Sequence, residues 1–349
     1  MPEKKIKIWL DSGAYSVWNR GETIDLTGYI DFIHRNKHNL EYYVNLDVIP
    51  GVKLRESTPQ EVEDSARKGF ENMLRMRKEG LDPMPVYHYG EKREWLEKMV
   101  DLGCSYIGLA LGRQGADPNA RKWLDAIFQY LCHTPTGFPT VKLHGFGLTV
   151  VPFLLRYPWF SVDSTTWIFA AAYGRCLFPR IAASGDFDFS VAPLYVGFTD
   201  RDSSPMLEKH NYYDSVGDTM KKFIARYIEF SGLAITPDSL KTNYYDRLRI
   251  NAFYFKQVGV RNILRPYDVP VVSGFFDKQV FKTLPAAVLP EHLQMVNAVG
   301  LNAAFNEILN DVDSNNRLIS YADMGKNDTE TIERLVTTGK VREDKDGTK

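Results

Sequence analysis

The sequence predicts a mixed α/β fold, a (β/α)8 TIM-like barrel with insertions and a modified C-terminal part. Three observations predict it. β-Rich runs alternate with amphipathic helical stretches through the first half of the chain, the pattern of βαβ units on a parallel sheet. Six such runs occur by residue 163, which suits a closed barrel better than a short open sheet. The GxGxxG fingerprint of a doubly wound dinucleotide fold is missing after the first run.

The strand candidates are Lys5 to Leu10, Tyr42 to Leu46, Met84 to His88, Tyr106 to Leu111, Thr140 to Leu143 and Trp159 to Val162. The clearest helix begins at Thr58, where Thr58-Pro59-Gln60-Glu61 reads as a capping box with proline in the first turn, and it ends near Gly80. Further helices are expected over Lys92 to Leu102 and Asn119 to Leu131. Beyond Asp163 the pattern loosens. Gly185 to Thr199 reads as a hairpin insertion, within an inserted region of approximately 185–245, and Tyr212 to Gly232 as a helix. Asn251 to Gln257, Asn262 to Arg265 and Val269 to Ser273 are expected to supply further barrel elements. The barrel and its insertions would occupy 1–326, with a charged tail over 327–349.

The composition is that of a soluble globular chain of 349 residues, 44% hydrophobic and 25% charged, so a large core can be buried. A formal net charge of −1 gives no global basic field, so any nucleic-acid contact must come from local clusters. No apolar run is long enough to span a bilayer and no signal peptide is evident, so a cytoplasmic location is expected. Cys104, Cys132 and Cys176 show no metal or disulfide spacing, and buried free thiols are expected.

The residues at the C-terminal ends of the six strands carry the chemistry. They read Asp11-Ser12-Gly13-Ala14-Tyr15, Asn45-Leu46-Asp47-Val48, Tyr87-His88-Tyr89-Gly90-Glu91, Gly108-Leu109-Ala110-Leu111-Gly112, Leu143-His144-Gly145-Phe146-Gly147 and Val162-Asp163-Ser164-Thr165-Thr166. A barrel gathers these ends on one face, where its active sites are built. A single strand-end Asp is as easily a helix cap or turn former, but three carboxylates and two histidines on one rim exceed what a scaffold needs.

These segments resemble the tRNA-guanine transglycosylase family, and more closely its DNA-acting, DpdA-type relatives of phages and bacteria. The family's DSGG(F/Y)Q segment is similar to Asp11 to Ser16, its GGLAVG segment to Ile107 to Gly112, its LMGVG segment to Leu143 to Gly147, and its FDC(V) segment to Val162 to Ser164. The order and spacing agree over residues 6–167. Four departures stand out: the family's CxCxxC…H zinc site has no counterpart, its VQGG segment becomes His88 to Glu91, its second DSGG glycine is Ala14, and its threonine-arginine pair becomes Thr165-Thr166-Trp167.

The resemblance implies a pentosyltransferase that exchanges guanine in DNA for a 7-deazaguanine free base such as preQ0; with no counterpart to the family's zinc ligands, neither metal nor cofactor is expected. Asp163 would be the nucleophile and Asp11 the proton-transfer partner. Asp47 would read the guanine N1–H and amine, Tyr15 would stack on the base, and Gly108, Leu109 and Ala110 would contact its edge. His88 and Glu91 would stand in for the lost glutamine, with His144 flanking the base. The target nucleotide must be single-stranded or flipped.

Phosphate contacts are expected from Arg247, Arg249, Lys256, Arg261 and Arg265, interleaved with aromatic residues, and from Arg175 and Arg180. The resemblance leaves room for a homodimer and, for a phage chain, places it in the host cytoplasm. Three alternatives stay open: a tRNA-guanine transglycosylase, a retaining N-glycosylase or glycoside hydrolase using water, and a non-catalytic nucleic-acid binding module. A metal-dependent barrel hydrolase using Asp11, His88 and His144 is disfavoured, because no HxH pair follows the first strand.

Overall fold

The computed structural model describes residues 7–52, 55–112, 118–134, 136–199, 211–261 and 267, together with the backbone of strands at 296–298 and 316–320. Strand β1 (Lys7–Asp11) leads into helix α1 (Ala14–Arg20) through Gly13, whose φ of 77° is a left-handed turn that favours glycine. Asp25 caps helix α2 (Leu26–Asn36) by accepting from the amides of Thr27 and Gly28, and strand β2 (Leu40–Tyr43) follows. The expected capping box between Thr58 and Glu61 opens helix α3 (Pro59–Lys78), with Pro59 in its first turn.

The βα alternation continues as the sequence predicts. Strand β3 (Val86–His88) precedes helix α4 (Arg93–Asp101), and strand β4 (Tyr106–Ala110) precedes helix α5 (Pro118–Leu131). Strand β5 (Lys142–Phe146), helix α6 (Val151–Arg156), strand β6 (Ser161–Asp163) and helix α7 (Thr166–Ala172) complete the series. The expected strand at Thr140 to Leu143 thus begins two residues late and runs on to Phe146.

Strands β3 to β6 pair in parallel in chain order, and strand β11 (Val296–Ala298) adds to β6. A second parallel run has the order β12-β1-β2, where β12 spans Asn316–Ser320. A parallel bridge from Val44 to Met84 connects the region after β2 to the region before β3, and β11 lies beside β12. The fold is therefore a mixed α/β structure with parallel sheet, as expected.

Period-two alternation sorts the side chains. Ile8 and Leu10 pack with Tyr29, Ile30, Phe32 and Ile33 of α2, and Ile107, Leu109 and Leu143 pack with Trp95, Trp123, Leu124 and Phe128 of the helices. The opposite face carries Trp9, whose ring meets Tyr42 at 5.0 Å, Tyr106 at 5.7 Å and Phe160 at 6.5 Å. Met84 and Val86 belong to the same apolar layer. Truncating a ring so buried costs about 3–5 kcal/mol.

The hairpin insertion begins earlier than its sequence signal. Strand β7 (Arg175–Phe178) pairs antiparallel with β10 (Leu194–Gly197), and β8 (Arg180–Ile181) with β9 (Phe187–Asp188). Helices α8 (Asp218–Ser231), α9 (Pro237–Thr242) and α10 (Tyr244–Arg261) follow. The element expected at Asn251 to Gln257 lies inside α10, whose buried residues along that segment pack as a helix on α7 and β7. The elements expected at Asn262 to Arg265 and Val269 to Ser273, and the tail over 327–349, lie outside the described residues. Cys104, Cys132 and Cys176 are free and buried. Among the described residues no helix is long and apolar enough to cross a membrane.

Asn251 and Arg247, one turn apart on α10, tie the insertion down. Asn251 accepts the amide of Leu177 at 2.8 Å and donates to the carbonyls of Trp167 and Arg175, each at 3.1 Å. Arg247 donates from Nε to Ala171 O at 2.9 Å and from Nη1 to Leu240 O at 2.8 Å. Its guanidinium is buried and its donors point at main-chain carbonyls, so the expectation of a phosphate contact at Arg247 is corrected. Arg247→Ala should destabilise the fold by about 1–3 kcal/mol, the cost of stranding buried acceptors, read as a lower urea midpoint. If it instead leaves stability intact and weakens nucleic-acid binding, this placement is wrong.

Candidate active site

The polar strand-end residues lie on the same face as the Trp9 layer, one or two residues further along each strand. Asp11 follows Trp9 by two, His88 follows Val86 by two, and Asp163 follows Ser161 by two. Strand alternation thus places Asp11, His88, His144 and Asp163 on that face, His144 from the middle of β5, while Asp47 reaches it from the loop after β2.

Asp47 is buried and already partnered. Ser12 donates from Oγ to Asp47 Oδ1 at 3.0 Å, and the Ser12 hydroxyl in turn accepts the amide of Ala14 at 3.2 Å. His88 Nε2 lies 3.0 Å from Asp47 Oδ2, and its Nδ1 lies 2.9 Å from Glu91 Oε1. Burial by itself lowers the affinity of this imidazole for its second proton. The two carboxylates outweigh that and push its pKa up to about 10, so it is an imidazolium donating to both. Both ring nitrogens are thus committed within the protein, which removes His88 as a direct reader of a base. Glu91 holds the imidazolium from behind, its Oε2 buried without a partner among the described residues.

Asp163 is held by a different set. Its Oδ1 accepts the Gly147 amide at 2.9 Å, and the left-handed φ of 63° at Gly147 turns the chain for that contact. His144 Nε2 lies 3.3 Å from the same oxygen, without the alignment of a full hydrogen bond. Behind His144, Nδ1 lies 2.5 Å from Ser161 Oγ, which also meets the Tyr106 hydroxyl. The Asp163 side chain keeps 16% of its surface exposed, while His144 is fully covered.

Asp11 lies between these two groups. Desolvation raises its carboxyl first, and the charges of Asp47 and Asp163 raise it further, up to about 8 against the lowering pull of the Gly13 and Ser12 amides. At neutral pH it is a protonated acid beside carboxylates, the arrangement in which environment pushes titratable groups into opposite roles. Among the described residues, no group of three or more His, Cys, Asp or Glu side chains is arranged to hold a metal ion.

The remaining expected contacts scatter. Tyr15 on α1 is 54% exposed with its ring beside Trp18, available for stacking. Gly108 makes room within the protein: a Cβ there would come within 2.3 Å of the Phe146 ring. Leu109 points into the helix-packed core, while Ala110 lies on the face of the site. Arg249 pairs with Asp246 at 3.4 Å, and the Arg175 guanidinium lies 5.8 Å from the Tyr173 ring. Arg180 is exposed on β8, Lys256 is half-buried, and Arg261 covers the rings of Phe189 and Phe230. Arg265 lies outside the described residues. Ser12, Tyr106 and Ser161 were not singled out as site residues. Ser161 carries one sequence signal, a small polar residue in an apolar run, two positions before Asp163.

Both raised groups make stability fall with rising pH. Asp11 has a folded pKa above its unfolded value of about 3.9, so its contribution is complete below about pH 4 and lost as pH climbs through about 8. His88 adds a loss between about pH 6.5 and about pH 10. Asp11→Asn, which cannot ionise, should therefore melt a few degrees above the parent near pH 9, with the gap closing near pH 4. A pH-independent difference would show that Asp11 is not held protonated. Comparison of this chain with family profiles, curated proteins and solved structures finds no match.

Proposed function

We propose that the chain is a base-exchanging pentosyltransferase that replaces guanine in DNA with a free 7-deazaguanine base such as preQ0, on a (β/α)8 barrel. The observation that carries this reading is the pair of strand-end carboxyls with unlike surroundings. Asp11 is held protonated up to about 8, and Asp163 stays partly exposed with one oxygen taken by the Gly147 amide.

Barrel closure is supported by the strand order. Parallel neighbours run from β1 to β6, across the Val44–Met84 bridge, and β11 and β12 lie between β6 and β1. The contact of Trp9 on β1 with Tyr106 on β4 supports it too, since those strands are not neighbours and their rings meet only if the sheet curls.

The chemistry is a double displacement. An Asp163 oxygen forms a bond to C1′ of the nucleotide as the C1′–N9 bond breaks, and its electron pair leaves with guanine, which takes the Asp11 proton. The incoming base then attacks C1′ from N9, its proton passes to Asp11, and the C1′–oxygen bond returns its pair to Asp163. This is retaining glycosidase logic with a base in place of water as second acceptor. Asp47 keeps a second lone pair on each oxygen for the N1–H and exocyclic amine of the base, while Ser12 and His88 hold the carboxylate from behind. DNA as substrate is supported by the motif resemblance: the zinc-bearing region and the threonine-arginine pair of the tRNA enzymes have no counterpart in this sequence.

The test offers the enzyme labelled 7-deazaguanine with equal amounts of duplex DNA, single-stranded DNA and tRNA. Label should enter DNA, and withholding the free base should trap a denaturant-resistant protein–DNA adduct. Asp163→Ala should lose both, and Asp11→Asn should slow exchange by about 10²–10⁴-fold. Exchange should decline as pH rises past about 8, where Asp11 loses its proton. Label in tRNA would move the substrate, and abasic sites without label would make the enzyme a hydrolase. An Asp163→Ala protein exchanging at the parent rate would overturn the mechanism.

A further inference from the structure

We infer that Tyr106, Ser161 and His144 form a buried relay that positions Asp163, presenting His144 Nε2–H to its Oδ1 and leaving Oδ2 as the attacking oxygen. This rests on the transglycosylase reading for the role of Asp163, but the relay is a statement about hydrogen positions that can be measured without any activity.

Donors and acceptors fix the order of the relay. Tyr106, Ser161 and His144 are all buried, and their three polar groups form one chain: Tyr106 Oη to Ser161 Oγ to His144 Nδ1. Among the described residues, Tyr106 Oη has no acceptor other than Ser161. A neutral imidazole carries one N–H, so the chain can be ordered in two ways. In the first, Tyr106 donates to Ser161, Ser161 donates to Nδ1, and the ring proton sits on Nε2. In the second, Nδ1–H donates to Ser161 and one hydroxyl hydrogen is stranded: that of Tyr106 if Ser161 donates to it, or that of Ser161 if it accepts from Tyr106 as well.

Two independent costs disfavour the second order. It leaves a buried hydroxyl without a partner among the rings of Trp9, Tyr42 and Phe160. It also turns the bare Nε2 lone pair toward Asp163 Oδ1 at 3.3 Å, where two acceptors repel. The first order satisfies every group and points an N–H at the carboxylate. Trp9 at 5.8 Å and Phe146 at 4.4 Å flank the imidazole ring and limit its rotation.

The consequence is an asymmetric nucleophile. Oδ1 receives the Gly147 amide and faces the His144 N–H, while among the described residues Oδ2 has no donor. The oxygen without donors is the better attacking atom. The oxygen with two donors becomes the ester carbonyl of the glycosyl-enzyme, where preorganised N–H groups stabilise the charge that returns as the second base attacks. The 3.3 Å approach would tighten in the complex, as such contacts do when substrate orders a site. His144 is a positioning residue in this account and does not exchange a proton with the nucleotide.

The experiment uses the full chain with ¹⁵N-labelled histidine. The His144 ring, identified by the resonances missing from His144→Gln, should show a protonated Nε2 and a bare Nδ1 at neutral pH. Its Nε2–H signal should shift in Asp163→Ala. A protonated Nδ1, or an Nε2–H signal unmoved by Asp163→Ala, overturns the relay whether or not any activity is found. With DNA and no free base, His144→Leu should form adduct about 10- to 100-fold more slowly, at unchanged KM for DNA. His144→Gln, which keeps an N–H near the place of Nε2, should recover most of that rate. Equal rates in the parent and the Leu variant, or a Gln variant as slow as Leu, overturn the positioning role. A parent that forms no adduct with any nucleic acid counts against the transglycosylase reading and the role given to Oδ2, while the NMR outcomes still decide the relay.

Discussion

The strict alternation of side chains along the parallel strands governs both halves of this molecule. One face of each strand belongs to the helices, as Ile8, Leu10, Ile107 and Leu143 do. The other face must be filled by what remains, and this chain fills it with rings centred on Trp9. That aromatic layer excludes water beneath the strand ends. Asp11, placed immediately above it, therefore sits in a medium that penalises its charge. The raised Asp11 carboxyl follows directly from this placement.

Charge in the site is balanced locally. The carboxylates of Asp47 and Glu91 share one imidazolium, which gives His88 its second proton and fixes the plane of Asp47. Asp163 receives only a main-chain amide and the edge of a covered imidazole. Asp11, with no cation beside it among the described residues, responds to its neighbours by keeping its proton. Three carboxyls on one rim thus have three surroundings: Asp47 is paired with an imidazolium, Asp163 is held by an amide, and Asp11 keeps its proton. Such a site destabilises the fold that carries it, a common relation between strain and function.

The α10 segment shows how one run of sequence can point two ways. Arginines interleaved with aromatic residues match a surface that grips phosphates and stacks bases, and they equally match an amphipathic helix clamped over a hairpin. Burial decides between them. Arg247 spends its donors on carbonyls at the ends of neighbouring helices, a use for guanidinium geometry as apt as a phosphate contact. Arg180 and Arg261 remain exposed on or beside the inserted hairpin, while Arg249 is drawn to Asp246.

The local code was readable where it was local. Capping at Thr58, the six strand and helix pairs, and the clustering of Asp11, Asp47, His88, His144 and Asp163 at strand ends all follow from spacing, alternation and turn residues. These are properties of segments a few residues long, so the amino-acid order determines them by itself. Other features needed the third dimension. The role of Gly108 depends on a Phe146 ring from another strand, and the burial of Arg247 on carbonyls far along the chain. The direction of the His144 ring proton depends on hydroxyls contributed by β4 and β6. Each is a relation between residues distant in sequence. Only the folded packing decides it, because donor, acceptor and empty space have no fixed spacing along the chain.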